Sequence, residues 1–290
     1  MQTARMPIGS PHRHKRQKPQ LVTRELKLVA HMAEHWFRQF ARRFNFPDNY
    51  TTLDLETSGL NPEVQLTCTY GYTVVRDRQP IETREVILDW TKHPDVDQLE
   101  LQRDLQRAAR AMKLQGKVLH HTYEYLRRYG IDAIQALEDL LTLVETAENN
   151  QEILVLHNGW AFDVEFMKAA FHNWLRVKWE FHPNLVYDSG IIEKASQLPE
   201  VYSPLPMVDE SMQDWARRIY SIRAPIKWNL DHHCDTKYGL LRKANVVPGD
   251  MHKSGTDSLV LHYLVEEHRR LAELIDQFHN DDNEVVMPYE

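Results

Sequence analysis

Tyr50-Thr51-Thr52-Leu53-Asp54-Leu55-Glu56-Thr57-Ser58-Gly59-Leu60 is the stretch on which the fold turns. Its run from Thr51 to Leu55 has the β-branched and apolar character of a strand. Ser58-Gly59 reads as the turn that ends it. Residues two apart on a strand share a face, so Asp54 and Glu56 point the same way while Leu55 points into the sheet. Two adjacent carboxylates repel each other unless a proton or a cation lies between them. Hard divalent cations such as magnesium take oxygen ligands of this kind. The fragment therefore has two readings, half of a metal site at a strand end or a solvated acidic strand edge.

Downstream, Gln65–Val75 and Ile81–Leu88 read as two further strands, rich in β-branched and aromatic residues and separated by the polar turn Arg76-Asp77-Arg78-Gln79-Pro80. The acidic strand thus opens a three-strand meander. Upstream, Leu26, Val29, Ala33, Trp36, Phe37, Phe40 and Phe44 recur at helical spacing, predicting an amphipathic helix over Leu21–Phe44 with Thr23 as its N-cap. Residues 1–20, with His12-Arg13-His14-Lys15-Arg16-Gln17-Lys18, have little to bury and read as a disordered basic leader.

Residues 95–147 are helical by period, with one segment over Leu99–Met112 and another marked by Leu137, Leu140, Leu141 and Val144. His120 and His121 between them have no cysteine or third spaced ligand, so they make a weak transition-metal signal. Ile153–Leu156 is a short buried strand that runs into His157-Asn158-Gly159-Trp160-Ala161-Phe162-Asp163. A helix follows, and Asp163 sits at its start, where the helix dipole alone would favour a carboxylate. Leu185–Asp188 suggests another strand within residues 171–229, an elaborated region rich in tryptophan and proline. Leu230–Tyr238 reads as a helix stopped by Gly239. A loop leads to His252 and Asp257, then to a long helix through Ile275 and an acidic tail, residues 276–290.

The chain has 290 residues, 42% of them hydrophobic and 27% charged, as in a soluble globular protein. Cys68 and Cys234 offer no disulfide framework, which suits a reducing compartment. No signal-peptide pattern or membrane-spanning run is present in the sequence, so a cytoplasmic or nucleoid-associated location, without a membrane partner, is expected. The net charge of −7 is uneven: residues 1–46 hold ten Lys/Arg against two Asp/Glu, leaving −15 on the remainder. A basic leader on an acidic body is compatible with a polyanionic partner.

Three motifs occur in order: Asp54-Leu55-Glu56-Thr57-Ser58-Gly59-Leu60; His157-Asn158-Gly159 through Phe162-Asp163; and Leu230 through Gly239 with His252-x-x-x-x-Asp257-Ser258. With these, over about residues 48–268, the chain resembles the DnaQ-like 3′–5′ exonucleases of the DEDDh subgroup, both proofreading subunits and Trex-like enzymes. It departs from the proofreading subunits by one extra residue between Asn158 and Asp163, and there it is nearer the Trex-like enzymes. It also has Ser254-Gly255 in the third motif and a longer segment 171–229. These departures bear on subfamily and substrate.

The resemblance implies an α/β, ribonuclease H-like fold, a mixed central sheet beginning with three antiparallel strands and covered by helices on both faces. The exonuclease domain would span 47–275, after the leader 1–20 and the helical segment 21–46. Asp54, Glu56, Asp163 and Asp257 would hold two magnesium or manganese ions, with Asp54 bridging them. His252 would be the general base. Thr57 and Leu60 would contact the terminal nucleotide, and Asn158, also on the substrate side, would order its loop. The expected function is release of nucleoside 5′-monophosphates from the 3′ end of a nucleic acid, with DNA favoured over RNA. A replication or repair protein is a possible partner. An RNA-trimming exonuclease of the same subgroup and a catalytically inactive nucleic-acid-binding module are the alternatives.

Overall fold

The sheet begins with a three-strand meander. Strand β1 (Tyr50–Thr57) pairs antiparallel with β2 (Thr67–Arg76), and β2 with β3 (Gln79–Asp89). The β2–β3 connection is two residues long, and Asp77 and Arg78 both have positive φ (49° and 64°), the mirror-image turn that matches the twist of paired strands. Pro80, which cannot donate to the ladder, pairs at a register shift beside Val74/Val75. The computed structural model describes residues 46–207 and 209–284. The basic leader, the helix expected over Leu21–Phe44 and residues 285–290 lie outside the described residues.

After the meander come α1 (Gln98–Leu114), α2 (Tyr123–Tyr129), the two-residue β4 (Ile131–Asp132) and α3 (Ala133–Asn149). Strand β5 (Ile153–Leu156) then pairs parallel with β1. Helix α4 (Asp163–Ala170) continues into a wide turn at Phe171–Leu175, and β6 (Val186–Asp188) pairs parallel with β5. The sheet order is β4-β3-β2-β1-β5-β6, with β1, β2 and β3 paired antiparallel, β5 and β6 parallel to β1 and the two-residue β4 parallel to β3, a ribonuclease H-like arrangement. The elaborated region folds as short helices, chiefly α5 (Ser189–Ala195) and α6 (Met212–Ser221). A wide helical turn at His232–Lys237 ends with Gly239 at φ 62°, followed by α7 (Leu240–Lys243) and α8 (Ser254–Glu284). Helix α8 continues past residue 275, so helical backbone occupies most of the segment expected to be an acidic tail. Its asparagines, acids and Gln277 include no proline or glycine before Glu284 to stop it.

The two faces of β1 differ in chemistry. Leu53 and Leu55 are buried in the hydrophobic core together with Leu137, Leu140 and Val144 of α3. The opposite face carries Thr52, Asp54 and Glu56, in register with Thr73, Gly71 and Thr69 of β2. Helix α8 docks there through hydroxyls: Thr52 Oγ1 donates to the Ser258 carbonyl (2.7 Å), Thr69 Oγ1 meets Ser254 Oγ (2.9 Å) and Thr73 Oγ1 meets Ser258 Oγ (3.2 Å). Gly71 lets the first turn of α8 lie against the sheet, since a Cβ there would collide with the backbone of Ser254 and Gly255. The buried Glu193 carboxylate clamps the C-terminal elements. It accepts from Lys237 Nζ (2.6 Å) and lies 2.8 Å from His268 Nε2 and 2.9 Å from His233 Nδ1.

Candidate active site

The carboxylates converge where β1 ends, beside the point at which the sheet switches from antiparallel to parallel pairing. Asp54 and Glu56 come from β1. Asp163 arrives on the first residue of α4 and is nearly buried, its Oδ1 accepting from the Leu55 amide (3.1 Å). Asp257, also nearly buried, comes from the first turn of α8 and accepts the His252 amide on both oxygens (3.2 Å each). That double acceptance closes the loop before α8 and fixes His252 in the left-handed region at φ 68°, an uncommon conformation for a residue with a side chain. His252 Nδ1 then faces Glu56 Oε1 at 4.0 Å, and Nε2 faces Asp231 Oδ2 at 4.0 Å.

Glu56, His252 and Asp257 each present a ligand atom within 4.8 Å of the others, a group that could hold a metal ion. Asp54 and Asp163 stand outside this tight trio. They remain within electrostatic reach: burial first, then the charges of Asp257 and Glu56, push the Asp54 carboxyl well above its ordinary range. Burial and then Asp257 and Asp163 do the same to Glu56. Burial followed by Asp188 raises Asp163, and burial pushes Asp257 up to about 7. Asp54 Oδ2 is buried without a hydrogen-bond partner. A buried, unpartnered oxygen among mutually repelling acids is a donor set suited to hard divalent cations. Burial and the nearby Lys117 hold His252 below its usual pKa, so its ring favours the neutral form.

Of the residues expected on the substrate side, Leu60 is 85% exposed in the turn after β1. Thr57 is buried, its hydroxyl donating to the Gly59 carbonyl. Asn158 adopts φ 64° and donates its amide to Asp188 Oδ1 (2.9 Å), so its backbone shapes the loop between β5 and α4.

Several residues at the site escaped sequence reasoning. Asp188 is fully buried at the end of β6 and accepts from the Asn158, Trp160 and Gly190 amides and from the Tyr220 hydroxyl (2.8–3.1 Å), which fixes the loop leading to Asp163. The only available signal was its place at a strand end. Lys117 Nζ pairs with Asp231 Oδ2 (2.8 Å), and both line a cleft of about 830 Å³ whose wall includes Met251 and His252. No spacing rule connects residues so far apart in the chain. Glu85 faces the cluster from β3, accepting from Ser254 Oγ (3.3 Å) and Tyr125 Oη (3.4 Å). Of the adjacent histidines, His121 is buried with Nε2 3.1 Å from the Thr57 carbonyl, a tie between the loop and β1.

No family model matches the chain, and no curated protein matches it. Among solved structures, it is similar to the zinc-ion-bound form of the E. coli ExoI–ssDNA complex, at 13% identity and TM-score 0.47, over 78% of this chain and 42% of that one. It is also similar to E. coli exonuclease I in complex with a dA16 oligonucleotide, at 15% identity and TM-score 0.49, over 79% and 43%. A product-bound structure of exonuclease I matches at 15% identity and TM-score 0.44, over 78% and 45%. This chain spans less than half the length of the solved structures it matches. Among the described residues no helix is long and apolar enough to cross a membrane.

Proposed function

We propose that this protein is a metal-dependent exonuclease that hydrolyses phosphodiester bonds from the 3′ end of DNA and releases nucleoside 5′-monophosphates. The observation that carries this reading is that Glu56, His252 and Asp257 present ligand atoms to one another, with Asp54 and Asp163 close enough for the acids to repel. The motif resemblance supports it independently. Asp54, Glu56, Asp163 and Asp257 would hold two divalent ions of the magnesium type. Such ions, when bound, supply charge neutralisation at the phosphate and lower the pKa of a water.

The chain's own groups do the rest. His252 takes the proton of the attacking water on the ring nitrogen facing Glu56, as a general base. It starts neutral, which the low pKa set by burial and Lys117 favours. The Asp257 carboxylate holds the His252 backbone, so the base and one acidic ligand are positioned by the same loop closure. Asp163 is tethered to the Leu55 amide and Asn158 to Asp188, so the loop flanking the pocket is rigid. Leu60, four residues after Glu56 and exposed, would offer an apolar side chain to the terminal base.

The test compares end-labelled single-stranded DNA, duplex DNA and RNA side by side with magnesium. The expected result is stepwise shortening from the 3′ end of DNA with 5′-monophosphate product. Faster shortening of RNA would transfer the activity to an exoribonuclease. No release from any labelled strand would leave a nucleic-acid-binding module.

A further inference from the structure

Resting on the reading above, we infer that the solvent face of α1 is a track for the phosphodiester backbone of the strand whose 3′ end enters the site. Arg103, Arg107, Arg110 and Lys113 recur at three- and four-residue intervals and are all exposed. They lie opposite the side that packs Leu101, Leu105 and Met112 into the core. Over ten residues the stripe is about 15 Å long. Arg107 pairs with Asp104. Among the described residues, Arg103, Arg110 and Lys113 meet no carboxylate, on a chain whose net charge is −7.

This arrangement costs the free helix stability. Like charges three and four residues apart repel, and residues 103–113 contain one acid against four bases. The helix dipole would reward a cation in the last turn, which accounts for Lys113 alone. Arg103 and Arg110 need another partner. Direction supplies it. The acidic residues Asp97 and Glu100 lie at the end of α1 away from the cleft, while Gln115, Gly116 and Lys117, directly after α1, line the cleft that His252 edges. The stripe therefore runs toward the cleft that His252 edges, and a polyanion lying along it would relieve the repulsion. A strand being shortened at its 3′ end is a polyanion that must pass this rim.

The experiment combines Arg103→Gln, Arg110→Gln and Lys113→Gln. All three residues are exposed, and a Tm at or above the parent's, as relief of the repulsion predicts, establishes that the triple variant folds. Binding of a labelled single strand of about 20 nucleotides is titrated against salt in an Asp54→Ala background, which keeps the strand intact. Three lost phosphate contacts on a single strand should flatten the log–log salt slope by about 2. Affinity at low salt should fall more than tenfold. In the Asp54-containing protein, dinucleotide cleavage should be unchanged, because a dinucleotide is too short to lie along α1. An unchanged salt slope would overturn the inference even if labelled strands are degraded, and would leave this face to an acidic protein. Equal loss of dinucleotide cleavage would overturn it too, since the helix would then act through the site. If the Asp54→Ala protein with α1 intact binds no strand at any salt, while the parent degrades none, the inference falls together with the proposed function.

Discussion

At the scale of single residues, His252 and Asp257 act as one unit. Asp257 accepts the His252 amide on both oxygens, and that contact stabilises the left-handed backbone that turns the imidazole toward Glu56. His252→Ala removes the ring and leaves the backbone contact. It should lower turnover on the order of 10²–10⁴-fold, the usual contribution of a general base. Strand affinity should change little, because the acids remain. Single-turnover rates beside equilibrium binding with magnesium will check this. Parental turnover in the variant would place the base elsewhere, with Glu56 or Asp231 next to be tested.

At the scale of elements, the site depends on how closely α8 approaches β2. The hydroxyl contacts of Thr69, Thr73, Ser254 and Ser258 set the register, and Gly71 sets the distance. Gly71→Ala should force the first turn of α8 outward, taking Asp257 and His252 away from Asp54 and Glu56. Overpacking of this kind costs about 1–3 kcal/mol, which for a domain of this size lowers Tm by roughly 3–10 °C. Turnover should fall further than stability accounts for, on the order of 10²-fold for a displacement of about 1 Å. Thermal melts and kcat on the same preparations decide the point. A lower Tm with parental kcat would show that α8 moves without carrying its acid.

At the scale of the whole molecule, the raised carboxylates link stability to pH. Asp54, Glu56, Asp163 and Asp257 keep their protons to higher pH in the folded chain than in the unfolded one. Wherever the folded state binds more protons, stability falls as pH rises. The Asp257 share of this decline begins above the ordinary carboxylate range and ends as pH passes about 7. The buried imidazoles of His121 and His157, both held down to about 4, act in the opposite sense, but only below about pH 6.5, where their unfolded forms gain protons. The depressed carboxylates Glu193, Asp231 and Glu267 act lower still, as pH falls below the ordinary carboxylate range. With chelator present, Tm should therefore fall between pH 6.5 and 7.5. Magnesium should restore it by several degrees at the upper end, and Asp54→Asn should flatten the decline. A Tm in chelator that is level across this range would mean that the four acids do not share one desolvated pocket.

The sequence alone determined the meander, because alternation of period two and a polar break at residues 76–80 leave little choice of pairing. It also determined the position of β5, an unbroken apolar run, and marked Asp54, Glu56, Asp163, His252 and Asp257 through three ordered motifs. These are local signals, legible within a few residues. Contacts between distant segments were decided only by the tertiary structure. Gly71 looks like any strand glycine until α8 lies across it. Asp188 holds the Asn158 loop because β6 lies beside β5, and Lys117 meets Asp231 because the α1–α2 loop and the turn after residue 230 share one cleft wall. The short helices of residues 171–229 carry mixed tryptophan and proline patterns without a clean period, and packing on the core selects their ends. Charge behaves in the same way. The acids at 54, 56, 163 and 257 could each be a solvated edge or a helix cap, and only the fold that brings them together desolvates them and raises their pKa values.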